Sequence, residues 1–289
     1  GYDMPPKTVA VVGVTGAVGQ EMVRCLSERN FPVKELKAFA SSRSAGKTIQ
    51  FKGKDVTVQE AAPGAFTGID IALMAVETDQ SKEFSPVLAK NGAVVIDNSS
   101  AYRMDPDCPL VVPEINPQAA KTRPKGIIAN PNCSTIIMNV PVWPLHRANP
   151  VKRIVVSTYQ AASGAGKPAM DELAETARLW VEGKTIVPQA MPYQLIMNVY
   201  SHNASIGDNG YNGEEMKMTL ETRKIFGAPE MLISATCVRV PVFYGHSEAV
   251  NIEFAAPLSP QAARRCLAHA EGVEVIDAGV NHDFPPEGG

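Results

Sequence analysis

The chain has 289 residues, 45% hydrophobic and 20% charged, the texture of an ordinary globular protein. That length is long for one core and predicts two domains. A formal charge of −3 gives no reason to expect nucleic acid or an anionic membrane surface as partner. No apolar run approaches the roughly 18 residues that a bilayer span needs.

The first strand is expected at residues 8–12, a short β-branched run of the kind buried in parallel sheets. It leads into Gly13-Val14-Thr15-Gly16-Ala17-Val18-Gly19, after which Val18, Met22 and Leu26 repeat at helical spacing. Glycines between a strand and a helix predict a pyrophosphate on the helix N-terminus, held by Gly13, Thr15, Gly16, Ala17 and Val18. The second strand, 35–39, ends in Ala40-Ser41-Ser42-Arg43-Ser44, hydroxyls and a guanidinium without a carboxylate. Ser41, Arg43 and Ser44 therefore suit a ribose 2′-phosphate, and NADP is expected rather than NAD. Further strands are expected at 69–74, 93–97 and 126–129. Strands alternating with helices at this pace predict a Rossmann-type parallel sheet, an α/β domain.

Asn130-Pro131-Asn132-Cys133-Ser134-Thr135 then opens a helix. Pro131 disfavours helix before it and Asn132 is a good N-cap, so Cys133 falls in the first turn. Backbone N–H groups and the helix dipole there favour a thiolate, the nucleophilic form of cysteine. The alternative is a small buried hydrophobe. The other cysteines (Cys25, Cys108, Cys237, Cys266) are scattered, with no Cys-x-x-Cys pair. Reduced thiols in a reducing compartment are expected, and neither a disulfide framework nor a metal site. No signal peptide is read before the first strand, so the expected location is the cytoplasm, with the plastid stroma as alternative.

Beyond Cys133 the texture changes to longer, alternating strands at 153–159, 232–240 and 249–254, with helices at 169–182, 213–226 and 262–270 and a loop at 185–212. The expected division is 1–132, carrying the dinucleotide, and 133–289, an α+β catalytic and dimerisation domain. Arg239 and His246 lie seven residues apart across a strand end and a turn, and His246 has a pKa suited to acid–base work. Arg103 follows a parallel strand at its C-terminal end, where open α/β sheets bind ligands. Glu214 and Lys217 share a helical face. Gln160 enters the small-residue loop that holds Ser163 and Gly164. No role is read for His146, His202, His269 or His282.

With these residues assembled, the chain resembles the aspartate-β-semialdehyde dehydrogenases. The matching strings are Gly13 to Gly19, Asp97-Asn98-Ser99-Ser100, Asn130 to Thr135, Ser157-Thr158-Tyr159-Gln160, Glu214-Glu215-Met216-Lys217 and Arg239-Val240-Pro241-Val242 with Gly245-His246-Ser247-Glu248. The resemblance implies a second domain like that of glyceraldehyde-phosphate dehydrogenases and a homodimer or homotetramer. It implies Cys133 as the acylated nucleophile, His246 as acid/base and Gln160 as the group orienting substrate and thioester. Arg239 would bind the substrate carboxylate, and Arg103 and Lys217 phosphate, with Glu214 positioning that region and Asn132 beside the substrate. Ser163 and Gly164 would approach the cofactor. The implied reaction makes aspartate β-semialdehyde for lysine, threonine, methionine and isoleucine synthesis.

Two departures from the family pattern stand out. The expected small loop after the third strand reads Ala75-Val76-Glu77-Thr78-Asp79-Gln80-Ser81, which would set Glu77 and Asp79 against cofactor phosphates. The family pattern also continues past Gly289 with a segment that helps close the nicotinamide side, so the chain is expected to be C-terminally incomplete. N-acyl-glutamyl-phosphate reductase, which shares the cysteine chemistry, and a non-catalytic binding relative are the competing readings.

Overall fold

In the computed structural model, which describes residues 3–276, two sheets are joined through an apolar cluster to which both parts contribute. The first sheet contains β1 (Lys7–Val12), β2 (Val33–Ala40), β3 (Thr48–Phe51), β4 (Lys54–Glu60), β5 (Ile71–Met74), β6 (Val94–Asp97) and β7 (Ile127–Ala129), in the order β3-β4-β2-β1-β5-β6-β7. All neighbours are parallel except β3 and β4. Helices α1 (Ala17–Glu28) and α2 (Thr78–Lys90) connect strands of this sheet. The strand order reverses at β1, which lies between β2 and β5, and that switch point opens the crevice expected to take a ligand.

The β3–β4 hairpin is absent from the sequence reading. Its signal is the pair Lys52-Gly53, both at positive φ (48° and 75°), the two-residue turn that matches strand twist. The segment at 75–81 also differs from the expected loop, because α2 begins at Thr78 with Asp79 in its first turn. An acidic residue there favours the helix dipole, which explains Asp79 without reference to a cofactor.

The second part contains α3 (Cys133–Ala148), β8 (Val151–Gln160), α4 (Lys167–Val181), β9 (Tyr200–Ser201), α5 (Gly213–Phe226), β10 (Leu232–Arg239), β11 (Ser247–Phe254) and α6 (Pro260–Ala268). Its sheet runs β11-β8-β10-β9, with β9 lying in the stretch expected as plain loop. Ile154 and Val156 of β8 and Ala235 and Cys237 of β10 pack against Met138 and Val142 of α3 and Met218 and Phe226 of α5. Leu110, Val112 and Ala129 from the first part join the same cluster. The two parts are thus fixed to each other by shared apolar burial. The opposite face of the second sheet exposes Val155, Tyr159 and Leu232.

Candidate active site

Asn132 caps α3 as its sequence position predicts, its Oδ1 accepting the N–H groups of Ser134 (3.0 Å) and Thr135 (3.4 Å). This sets Cys133 at the first helical position, with its residue surface exposed. Protein atoms nevertheless crowd the residue, and this desolvation pushes its thiol above the ordinary value. Glu214 adds to the rise, while the N–H and hydroxyl of Ser134 and the charge of Arg103 oppose it. The helix start therefore does not by itself make a resting thiolate.

Glu214, on the first turn of α5, ties the site together. Its Oε1 accepts from Asn132 Nδ2 (2.8 Å) and Gln160 Nε2 (3.3 Å), and its Oε2 lies 3.3 Å from Lys217 Nζ and 3.7 Å from His202 Nε2. Burial pushes this carboxyl up, but His202 when protonated, Lys217 and the two amides outweigh burial and hold it below the usual range. Gln160 is fixed from its other end by Thr158, whose hydroxyl donates to Gln160 Oε1 at 3.0 Å.

Arg239 ends β10, 2% exposed, and donates from Nη1 to the Ala161 carbonyl (2.8 Å). Its Nη2 meets His202 Nε2 at 3.0 Å, and burial holds that imidazole neutral, its pKa near 4. The Nε–H of Arg239 is buried without a protein partner, so it remains available to an acceptor such as a carboxylate.

His246 accepts the Ala161 N–H at Nδ1 (2.8 Å), which places the proton of the neutral ring on Nε2. Burial and then the charge of Arg239 lower its pKa, so the neutral donor form prevails at pH 7. A Cβ at Gly164 would come within 3.0 Å of His246 Nε2 and 3.1 Å of Arg239 Nη1, so a side chain here would push these groups back by a few tenths of an ångström. Gly164 thus stands against His246 and Arg239, and the lining of the crevice at Gly13 includes neither Ser163 nor Gly164.

Arg103 is nearly buried and anchored by Nε to the Asn130 carbonyl (2.9 Å) and by Nη2 to the Asn98 carbonyl (2.8 Å). Its Nη1 lies 3.6 Å from Glu221 Oε2. His202 and Glu221 were given no role by the sequence. Glu221 had a readable signal, because it continues the helical stripe of Glu214 and Lys217; His202 sits in a loop with no periodicity to reveal it.

The crevice at the switch point, expected to take the dinucleotide, is lined by Gly13, Thr15, Gly16, Ala40, Ser41, Ala61, Ala75, Val76, Glu77, Gln80 and Phe84. At Gly13 φ is +85°, and a Cβ would collide with the Ala75 carbonyl oxygen. Gly16 caps α1 without a side-chain hydrogen bond. The helix end beside the cleft has its N–H groups unspent on a cap, as an anion site requires. Ala17, Val18, Arg43 and Ser44 lie outside the lining, while Glu77 places a carboxylate on it. Among the described residues no group of three or more His, Cys, Asp or Glu could hold a metal ion.

Residues 8–123 match the family model described as semialdehyde dehydrogenase, NAD binding domain, and residues 142–287 the one described as semialdehyde dehydrogenase, dimerisation domain. The chain is 51% identical over 280 residues to an aspartate-semialdehyde dehydrogenase of Synechocystis sp., covering 97% of this chain and 82% of the relative. Its structure is similar to that of Vibrio cholerae aspartate semialdehyde dehydrogenase II complexed with ASA, with a TM-score of 0.94 and 44% identity over 98% of this chain and 83% of that one. The Candida albicans aspartate semialdehyde dehydrogenase with NADP gives a TM-score of 0.69 and 28% identity over 91% of this chain and 76% of that one. The chain belongs to the aspartate-semialdehyde dehydrogenase family of oxidoreductases.

Proposed function

We propose that the chain catalyses the NADPH-dependent reductive dephosphorylation of β-aspartyl phosphate to aspartate β-semialdehyde through a thioester on Cys133. The observation that carries this reading is the network in which Glu214 ties Asn132, Gln160, Lys217 and His202 together next to the nucleophile. Residues 1–132 carry the dinucleotide in this reading, and the chain from 133 onward carries acyl transfer and dimerisation. Gly13, Thr15, Gly16 and Ser41 hold the cofactor, Arg43 and Ser44 reach its 2′-phosphate, and NADP is the form bound. A homodimer or homotetramer in the cytoplasm completes the proposal.

The Arg239 Nε–H receives the substrate carboxylate, and Arg103 and Lys217 hold the phosphoryl oxygens. The Cys133 sulfur attacks the acyl carbon as its proton passes to the departing phosphate; a carbon–sulfur bond forms, the carbon–oxygen bond to phosphate breaks, and phosphate departs with the electron pair. When bound, the reduced dinucleotide would supply the hydride that takes the thioester carbon to the aldehyde level, and the carbon–sulfur bond then breaks to return Cys133 as thiolate. His246, with its proton on Nε2, donates to the oxygen that gains charge in each tetrahedral adduct, and the positive end of the α3 dipole favours the same charge. Gln160, fixed between Thr158 and Glu214, orients the acyl group.

The reverse reaction provides the test. Aspartate semialdehyde should reduce NADP in a phosphate-dependent manner, faster than it reduces NAD. In Cys133→Ala, kcat should fall by roughly a thousandfold or more with the fold intact by circular dichroism. Activity that survives this substitution would remove the covalent mechanism, and preference for N-acyl-glutamate semialdehyde would replace the substrate assignment.

A further inference from the structure

Glu221 is 2% exposed on the third turn of α5 and is not among the groups assigned above to substrate or cofactor. Its two oxygens face two different parts of the site. Oε1 accepts the peptide N–H of Asn132 at 2.6 Å, one residue before the nucleophile. Oε2 lies 3.6 Å from Nη1 of Arg103. The remaining Arg103 contacts are fixed backbone acceptors, the carbonyls of Asn130 and Asn98, and Asn130 in turn donates from Nδ2 to Asn98 Oδ1 at 2.7 Å. One buried carboxylate therefore joins a guanidinium at the end of β6 to the turn that launches α3.

We propose that Glu221 is a positioning residue that couples an oxyanion on Arg103 to the placement of Cys133. The proposal rests on the reading that Arg103 holds the phosphoryl group. Three of the five guanidinium N–H groups of Arg103 remain after its two carbonyl contacts. An arriving oxyanion competes with Glu221 Oε2 for that charge. The Arg103–Glu221 contact is long, at 3.6 Å, whereas the Asn132–Glu221 bond is short, at 2.6 Å. Weakening the first leaves the carboxylate charge concentrated on the second, which steadies the Asn132 peptide and the helix start that carries the thiol. Glu221 touches neither substrate nor the reacting atoms. It acts through Arg103 on one side and the Asn132 peptide on the other.

The test is phosphate-dependent alkylation of Cys133 in the full-length apoenzyme, read by peptide mapping with iodoacetamide, in wild type and Glu221→Gln. The amide is nearly isosteric and its oxygen can still accept from Asn132, so the fold is retained while the charge facing Arg103 is lost. In wild type, inorganic phosphate should change the alkylation rate of Cys133 about threefold or more; in Glu221→Gln the change should vanish. Turnover should move in parallel: kcat lower by about tenfold, the KM for phosphate shifted, and the KM for NADP unaltered. Arg103→Lys combined with Glu221→Gln should cost less than the two single effects multiplied. An equal phosphate response in both proteins, or multiplicative effects in the double variant, overturns the coupling while leaving Arg103 as a phosphate site. No phosphate response in wild type removes that assignment of Arg103 and the coupling with it.

Discussion

Glu248 ends the inward-facing row of β11 that continues as Val250, Ile252 and Phe254. Both of its carboxylate oxygens are buried without a partner, and burial alone pushes the group up to about 8. Across the sheet its register partner is Thr158, and beyond that Cys237, a thiol likewise raised to about 12, first by burial. A carboxyl raised above its unfolded value of 4.5 stabilises the fold fully below that pH, and the contribution is lost as pH rises to about 8. Wild type should therefore lose stability across this interval relative to Glu248→Gln, as urea midpoints at stepped pH will register. Parallel pH profiles for the two proteins would mean that Glu248 ionises as freely as in solvent. At this scale the sequence disclosed residue types but not environments. Cys133, Gln160, Arg239 and His246 stand out in the sequence because their chemistry and local strings are distinctive. His202 does not, since its value comes from a 3.0 Å contact with a residue 37 positions away.

At the scale of elements, α5 connects the two halves of the site. Glu214, Lys217, Glu221 and Lys224 fall along one stripe of this helix, meeting the nucleophile turn at one end and the Arg103 loop at the other. Lys224 Nζ donates to the carbonyls of Arg103 (2.8 Å), Asp105 (2.8 Å) and Cys108 (2.9 Å). Lys224→Met removes the donor to all three and should cost about 3 kcal/mol in urea unfolding, with faster amide exchange across 103–108. Unchanged exchange there would show that the loop is held by other contacts. The helix itself was legible, because Asn212 and Glu215 form a reciprocal capping box and Gly227 closes the other end at φ 61°. The hairpin β3–β4 escaped because its short strands sit between charged residues, and only the Lys52-Gly53 turn marks it.

For the whole molecule, the open face of the β11-β8-β10-β9 sheet is the feature that a single chain leaves unresolved. Val155, Tyr159 and Leu232 are 40%, 42% and 58% exposed on strands whose other face is buried. Apolar side chains on one broad sheet face favour burial against a second copy of the chain. If wild type self-associates through this face, Leu232→Asp with Val155→Asp should shift sedimentation to the monomer at the same protein concentration. An unchanged mass would move the interface off this sheet. The sequence by itself determined the parallel sheet and the position of Cys133 at a helix start, because hydrophobic period, glycine spacing and capping are local properties. Only the tertiary structure decided that the thiol is raised, that His246 rests as an Nε2–H donor and that Glu221 spans two segments. Those depend on burial and on contacts between residues far apart in the chain, which no local pattern encodes.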